Sequence, residues 1–547
     1  MKYSLLVISL FSLLTSNSSY AQIYKWVDEN GRTQFSDKPH PKAQEVKIKS
    51  ENQQDNKVNK TAVNKKQQVA VTHKSLLNSN VLKLRSMLKK KEFSALNKTI
   101  EQLDISYKSN ELSEDAYFTA FDAFDIKSEE LASTFDSWVS STPQAYQPYL
   151  ARGIYQYHIG WLHRGGKWSS ETKDANKLKM SEYLSKASDD ILKSLTINDD
   201  SIISYFYLMR VATTQGRQDE SERLQRKALK IHPSSYNIRA QHLRALTPRW
   251  GGSLEAMQEY LIEASQAIKK YPKLKILEGY IYNEAGEMQV LGKSYNSAND
   301  LFSKSLESGA YHGTLFRRGK NNNRREEYTD SLRDLNSAIE LNNEKPLYYY
   351  WRTNTLIDLN EFEKAMNDIQ AAIQLDPYDK DFQSKRRWLS AKFQNDAYNL
   401  RESQNNDSAV DKYTKAIRLN PENGDLYQGR ARAYIQERDL DSALTDMKKA
   451  IKVDPDNYHH YALIDYILIK SKEYDQIIKY WKQYISRHPD DGRAYVEVGG
   501  TYFHKGDMQS ALKYAKKSAD LGNLEGIEAY EKFTQMFQQR IEKGGPY

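Results

Sequence analysis

Two short segments of this 547-residue chain concentrate side chains able to do chemistry: Arg164-Gly165-Gly166-Lys167-Trp168 and Arg249-Trp250-Gly251-Gly252. Paired glycines let a backbone approach a ligand closely, Arg and Lys grip anions, and Trp stacks on a sugar or takes a cation on its face. The same composition also suits tight inter-helix turns, with Ser253 capping the helix that follows. Phosphate-loop chemistry is disfavoured, because neither segment ends in Lys-Ser/Thr. His158 and His163 lie five apart, off the three- or four-residue spacing that aligns metal ligands on a helix, and His459 and His460 point to different faces. Carboxylates are plentiful, but on helices they are mostly solvated surface. No serine elbow, HExxH or Gly-rich dinucleotide fingerprint occurs. Zero Cys removes disulfides, thiolate metal sites, iron–sulfur clusters and cysteine nucleophiles together. The expectation is a non-enzymatic protein with no catalytic residue, no metal and no cofactor.

The elements that would position these segments follow from composition and periodicity. At roughly 100–200 residues per domain, the length fits several domains or one long repeat array. Charged residues make up 28% and hydrophobic residues 39%, with a mean hydropathy of -0.80. Leu, Ile, Tyr and Phe recur along most of the chain, which argues against disorder throughout. No apolar run of about 20 residues follows the N-terminus, so a polytopic membrane protein is excluded. Residues 1–21 read as a secretory signal: Lys2, then apolar Leu5–Leu14, then Ser19-Tyr20-Ala21 with small residues at the −3 and −1 positions of a cleavage site. The expected location is therefore the periplasm, or outside the cell, without a membrane span after cleavage.

The formal charge of +8 invites a nucleic-acid partner until it is divided along the chain. Residues 41–74 hold eight Lys against Glu45, Glu51 and Asp55, a net +5, which leaves +2 for residues 75–547. The part that folds is nearly neutral, so nucleic acid is not an expected partner. Residues 41–80 read as a flexible basic linker. Before it, Ile23–Val27 and Arg32–Ser36 alternate around Asn30-Gly31, which predicts a β-hairpin module over 22–40 with Tyr24 and Trp26 facing Phe35. The run Tyr24-Lys25-Trp26 through Pro39 resembles a short bacterial module found behind signal peptides of envelope proteins, whose role is unknown.

From Val81 onward helical periodicity dominates. Residues 81–275 read as a helical domain with degenerate repeats, interrupted at Thr142-Pro143, Gly165-Gly166, His232-Pro233 and Thr247–Ser253. Residues 276–540 read as a repeat array with a C-terminal capping helix. Pro421, Pro455 and Pro489 step by 34, and Asn343 lies 34 before Pro377. In phase with them stand Ser331, Ala365, Ala409, Ala443 and Ile477; Ala338, Ala372, Ala416, Ala450 and Tyr484; and Gly319, Thr353, Ala397, Ala431 and Asp465. Two short helices cross closely only where small residues meet, and Pro ends the second. The unit carrying Asp465, Ile477 and Tyr484 departs from that rule, and the step from Pro377 to Pro421 is ten residues too long, predicting an extended helix or a seam near Asp379–Ser390.

This pattern resembles the tetratricopeptide repeat family over roughly 311–524. Upstream, Trp138, Pro143, Ala151-Arg152-Gly153, Gly160-Trp161, Arg164-Gly165 and Pro248–Gly252 resemble a second bacterial helical domain of unknown function, over 130–255. The first resemblance implies an all-α superhelical solenoid whose first helices line a concave groove through their fifth and ninth positions. These are Phe316 and Lys320, Tyr350 and Asn354, Gln394 and Tyr398, Gln428 and Arg432, and Ala462 and Tyr466. It implies a scaffold gripping an extended peptide or partner protein. The alternative is a binding protein or enzyme for envelope polysaccharide, centred on Arg164, Lys167, Trp168, Arg249 and Trp250.

Overall fold

The computed structural model describes residues 76, 78–167 and 169–542, together with the backbone of three short strands. The signal segment, the Asn30-Gly31 turn, most of the linker and Trp168 lie outside the described residues. The strands are Tyr24–Val27, Thr33–Ser36 and Gln44–Glu45. The first pairs antiparallel with the second, from Tyr24 opposite Ser36 to Val27 opposite Thr33, and with the third through Tyr24 and Lys25. The packing of Tyr24 and Trp26 on Phe35 stays an expectation.

The rest of the described residues are helix and connection, in two compact units that divide between Asp379 and Lys380. In the first unit, helix pairs form hairpins: Gln147–Arg164 with Asp174–Ile197, Ile202–Thr214 with Gln218–Ile231, and Tyr280–Leu291 with Tyr295–Glu307. Two more follow, His312–Arg324 with Tyr328–Leu341 and Pro346–Asp358 with Phe362–Leu375. Between the second and third hairpins, Tyr236–Ala245 is followed by Leu254–Glu263 and a 3-10 turn, Pro272–Gly279. In the second unit, Lys380–Glu402 pairs with Asn406–Leu419, Gly424–Gln436 with Leu440–Val453, Tyr458–Lys470 with Tyr474–Arg487, and Gly492–Lys505 with Met508–Asp520. Leu524–Glu542 closes the array. The ten surplus residues before Pro421 are absorbed by the 23-residue helix Lys380–Glu402. The fold is an all-α solenoid of helical hairpins.

The small residues sit where the helices cross. Ser331, Ala365, Ala409, Ala443, Ala338, Ala372, Ala416, Ala450, Thr353, Ala397 and Ala431 are all fully buried. A Cβ on Gly319 would come within 2.9 Å of Leu335, so even Ala strains that crossing. Second helices stop at Leu375, Leu419, Val453 and Arg487, just before Pro377, Pro421, Pro455 and Pro489, because a residue preceding Pro is driven out of the helical region.

Three further in-phase devices recur among the hairpins. The turn between its helices passes through a left-handed residue: Lys293, Glu326, Asn360, Gln404, Arg438, Lys472 and Gly506. A first-helix Tyr hydroxyl donates back to a carbonyl six residues earlier: Tyr349 to Asn343 (3.0 Å), Tyr427 to Pro421 (3.1 Å), Tyr461 to Pro455 (3.0 Å) and Tyr495 to Pro489 (3.0 Å). The same bond joins Tyr149 to Pro143 and Tyr205 to Asp199, so the repeat grammar extends upstream to Gln147.

The third device is a fork of charge-assisted bonds. Arg318, Arg352 and Arg430 each clasp an Asp on the following helix with two bonds of 2.7–2.8 Å, to Asp334, Asp368 and Asp446. Their remaining nitrogens reach the preceding hairpin at Ser303, Asn336 and Thr414. In the irregular unit Trp481 replaces this fork, donating to Asp465 at 2.8 Å. The larger Ile477, Trp481 and Tyr484 fill the volume there and are buried.

Candidate functional site

The expected groove residues fall into two sets, one per unit. In the second unit, Tyr398, Arg432 and Tyr466 occupy the same register of successive first helices, 34 residues apart. Tyr398 is 51% exposed and Tyr466 45% exposed, and Arg432 is exposed between them in sequence. Arg401, itself buried and paired with Glu402, lies over the Tyr398 ring at 5.0 Å, and Lys470 lies over Tyr466 at 4.6 Å. Beside them Gln394 and Gln428 are half-buried; Gln428 donates to the His459 carbonyl at 3.1 Å, which leaves its amide oxygen to accept. Ala462 completes that column without a polar group. The helix Gly424–Gln436 packs between Lys380–Glu402 and Tyr458–Lys470, so the column is continuous.

In the first unit the same registers are engaged by the protein itself. Phe316 stacks on Tyr348 with centroids 4.7 Å apart, and Lys320 lies over the Trp351 ring at 4.9 Å. Burial, with Arg324 adding repulsion, lowers the Lys320 ammonium. Tyr350 and Asn354 are half-buried, and Tyr350 meets Trp351 edge-on. Tyr348 and Tyr349 are core residues.

Segment 80–125 docks across the hairpins of this unit. Asn80 N donates to Glu344 (2.9 Å), Lys345 pairs with Asp122 (2.6 Å), and Asn342 donates to Asp115 and Thr119 (2.9 Å each). His312 contacts Asp115 at 3.0 Å. Arg85 reaches the carbonyls of Ala123, Asp122 and Leu375, and thus answers the open C-terminal end of Phe362–Leu375. Glu114 accepts from the backbone of Tyr236 (2.9 Å) and Asn237 (3.1 Å) and from the Ser235 hydroxyl, capping Tyr236–Ala245 from more than a hundred residues away. These contacts join residues far apart in sequence.

The two Arg/Gly/Trp segments are both tight turns, and they lie close to one another. Gly165 and Gly251 have positive φ, and a Cβ on Gly252 would strike the Leu246 backbone at 2.1 Å. Ser253 caps the next helix, accepting from Ala256 N at 3.1 Å. Trp250 meets Trp161 edge-on with centroids 6.4 Å apart. Arg164 covers a face of Trp161 at 5.2 Å and Arg244 lies over Trp250 at 5.9 Å. Arg164 also donates to the carbonyls of Gly165 and Lys167, while Lys167 and Arg249 are exposed. Trp161, not Trp168, is the described partner of the second segment. His158 and His163 do not converge: they face Asp125 (2.8 Å) and Glu129 (2.7 Å). His460 is buried and His459 exposed. A cavity of about 470 Å³ beside Asp136, Arg152, Tyr155, Lys186 and Asp190 has its arginine already paired with both aspartates. Among the described residues, no group of His, Asp or Glu is placed to hold a metal ion, and no helix is long and apolar enough to cross a membrane.

Comparison with known families decides the name of the repeat. Tetratricopeptide repeat models match residues 347–379, 400–464 and 467–524. Residues 347–524 carry tetratricopeptide repeats. Two domains of unknown function match upstream, DUF4124 over 10–64 and DUF4034 over 80–219. The first contains the short post-signal run; the second begins before the helical segment read from Trp138 onward and ends before Arg249. The chain is 22% identical over 300 residues to a tetratricopeptide repeat-containing protein of Methanocaldococcus jannaschii, a match covering 47% of this chain and 51% of that one. It thus spans about half the length of that curated relative. It is also similar to YrrB, a tetratricopeptide repeat protein with an unusual peptide-binding site, at 22% identity over 36% of this chain and 97% of that one, TM-score 0.23. The TPR2AB domain of yeast Sti1, in its pHSP90 complex, is 18% identical over 44% of this chain and 98% of that one, TM-score 0.20. At these scores no residue role passes from those structures to these tetratricopeptide repeats.

Proposed function

We propose that this protein is an exported, non-catalytic tetratricopeptide scaffold that binds an extended segment of a partner protein along the first helices of its second unit. The observation that carries this reading is the open column Tyr398, Arg432 and Tyr466, where large amphipathic side chains stand exposed at one register of three successive first helices. Tyr and Arg are the residues most enriched where binding energy concentrates. An extended chain laid along such a column meets a phenol, a guanidinium and a phenol in turn, with Gln394 and Gln428 beside them for its backbone amides. The first unit is the weaker candidate, because Phe316 and Lys320 are taken up by Tyr348 and Trp351. Export rests on the N-terminal pattern of Lys2, Leu5–Leu14 and Ser19-Tyr20-Ala21 and on a chain free of Cys, and places the scaffold in the bacterial periplasm. Envelope polysaccharide is the less favoured ligand, since Arg244 already covers a face of Trp250, and Arg164 a face of Trp161, the described ring beside it.

The test is selection of extended peptides from a displayed library, followed by affinity measurement on the triple variant Tyr398→Ala, Arg432→Ala, Tyr466→Ala. These side chains are exposed, so the variant should keep its helicity and its melting temperature. We expect at least a tenfold loss of affinity for peptides selected on the native chain. Equal affinities for the two proteins would remove this reading.

A further inference from the structure

One patch of the first unit carries two arginines that no carboxylate among the described residues pairs with directly. Arg210, from Ile202–Thr214, lays its guanidinium over Tyr157 (4.7 Å), Tyr207 (5.3 Å) and Phe206 (5.6 Å). Its Nε has no hydrogen-bond partner. Asp125, the acid that feels its charge, faces His158 instead, at 2.8 Å. Arg244, from Tyr236–Ala245, is exposed and lies over Trp250, whose indole N–H also has no partner. Trp161 stands edge-on to Trp250 and completes an aromatic wall. Neighbouring cations differ: Arg249 faces Glu284 at 3.4 Å and Arg317 faces Glu287 at 3.3 Å. Among the described residues, no carboxylate comes within ion-pair distance of Arg210 or Arg244.

The two arginines also act on each other. Desolvation by the protein packed around it, and then repulsion from Arg210, lower the Arg244 guanidinium although the side chain still reaches solvent. Burial pushes the Tyr157 phenol up, but Arg210 and Arg244, helped by the Thr214 hydroxyl and the Trp161 indole N–H beside it, outweigh it and hold the phenol below its ordinary range. Arg210 also hydrogen-bonds the Tyr157 hydroxyl, but with no carboxylate in the fork its Nε–H stays open to an oxyanion, as does the fork of Arg244.

We propose that Arg210 and Arg244 bind a doubly charged oxyanion, inorganic phosphate or a phosphate monoester, flanked by Trp161 and Trp250. Two uncompensated cations match a group that carries about −1.5 to −2 at neutral pH, whereas a carboxylate would neutralise only one of them. This site is separate from the column on the second unit, and neither reading depends on the other.

Isothermal titration of the full chain with inorganic phosphate, phenyl phosphate and acetate tests the site. Saturable binding of at least one phosphate, with acetate at least tenfold weaker, is the expected result. Arg244→Gln should raise the phosphate Kd at least tenfold, as should Arg210→Gln, while Arg226→Gln, at an exposed arginine paired with Glu222, leaves it unchanged. Arg210 packs among rings and its variant could misfold, but Arg244 is exposed, and circular dichroism confirms that Arg244→Gln is folded. Tighter binding of phenyl phosphate identifies an organic monoester as the source, and equal or tighter binding of inorganic phosphate identifies the free ion. Absence of saturable binding by both phosphates, acetate binding as tightly, or an unchanged Kd in Arg244→Gln would overturn the proposal.

Discussion

Replacing Arg352 with Met isolates the fork that ties each hairpin together. Arg352 gives two bonds of 2.7 Å to Asp368 and one of 2.8 Å to Asn336, and the paired side chains are only 9% and 8% exposed. Burial lowers the guanidinium, yet the bonds and charge of Asp368 more than compensate and hold it above its ordinary range. Removing one partner of a buried ion pair leaves an uncompensated charge and costs about 3–5 kcal/mol, whereas replacing both by apolar groups is often neutral or stabilising. Long arrays can unfold in parts, so a single unfolding free energy is a poor measure and local opening is a better one. Hydrogen exchange of amides in Pro346–Asp358 and Phe362–Leu375 supplies it. Arg352→Met should reduce their protection by about two to three and a half orders of magnitude, at roughly 1.4 kcal/mol per decade. The double variant Arg352→Met, Asp368→Leu should recover most of that loss. Arg318→Met, whose arginine is 25% exposed, should lose less. The reasoning fails if Arg352→Met stays within tenfold of the native protein, or if the double variant is no better protected than the single one.

Other expectations follow from single contacts. Burial pushes the His242 imidazole down to about 4, below its unfolded value near 6.5. Its neutral form therefore contributes fully above pH 6.5, and about 3 kcal/mol is lost as pH falls toward 4; His242→Phe should flatten the urea midpoint between those pH values. Tyr427→Phe removes the bond to the Pro421 carbonyl and should cost about 1 kcal/mol in chemical denaturation, with no change if the ring alone matters. Arg438 holds a φ of 65, so Arg438→Gly should stabilise the second unit by about 1 kcal/mol in spite of glycine's entropy; a destabilised variant would show that the left-handed turn is not strained. Glu114→Ala strips the cap from Tyr236–Ala245 and should expose residues 80–125 to limited proteolysis, and an unchanged digestion pattern would mean that other contacts suffice.

Volume was the legible part of this fold. Gly319, Ala365, Ala409 and Ala443 stand where helices cross, and few other side chains fit there, so the 34-residue step wrote itself into letters. Polar devices were not legible although they keep the same step. An Arg and an Asp sixteen residues apart look like solvated helix surface until folding makes a fork of Arg430 and Asp446. The left-handed turn position is filled by Lys, Glu, Asn, Gln and Arg before it is filled by Gly, so composition hid it. Tyrosine rings were readable as core, whereas the hydroxyl of Tyr461 reaching the Pro455 carbonyl depends on where the chain enters the helix. The docking of Asp115 and Asp122 on His312 and Lys345 spans about two hundred residues and has no period to betray it.

The groove positions make the same point from the functional side. Lys320, Asn354, Tyr398, Arg432 and Tyr466 share one register, and sequence alone treats them as equivalent. Packing makes them unequal: Lys320 rests on Trp351, while Tyr398 and Tyr466 stand half in solvent. A side chain already stacked within its own unit must be released before it can grip a partner, which subtracts from affinity; one held only by a flanking cation need not be. The same repeat positions thus stand open in the second unit and are taken up by the unit's own rings in the first.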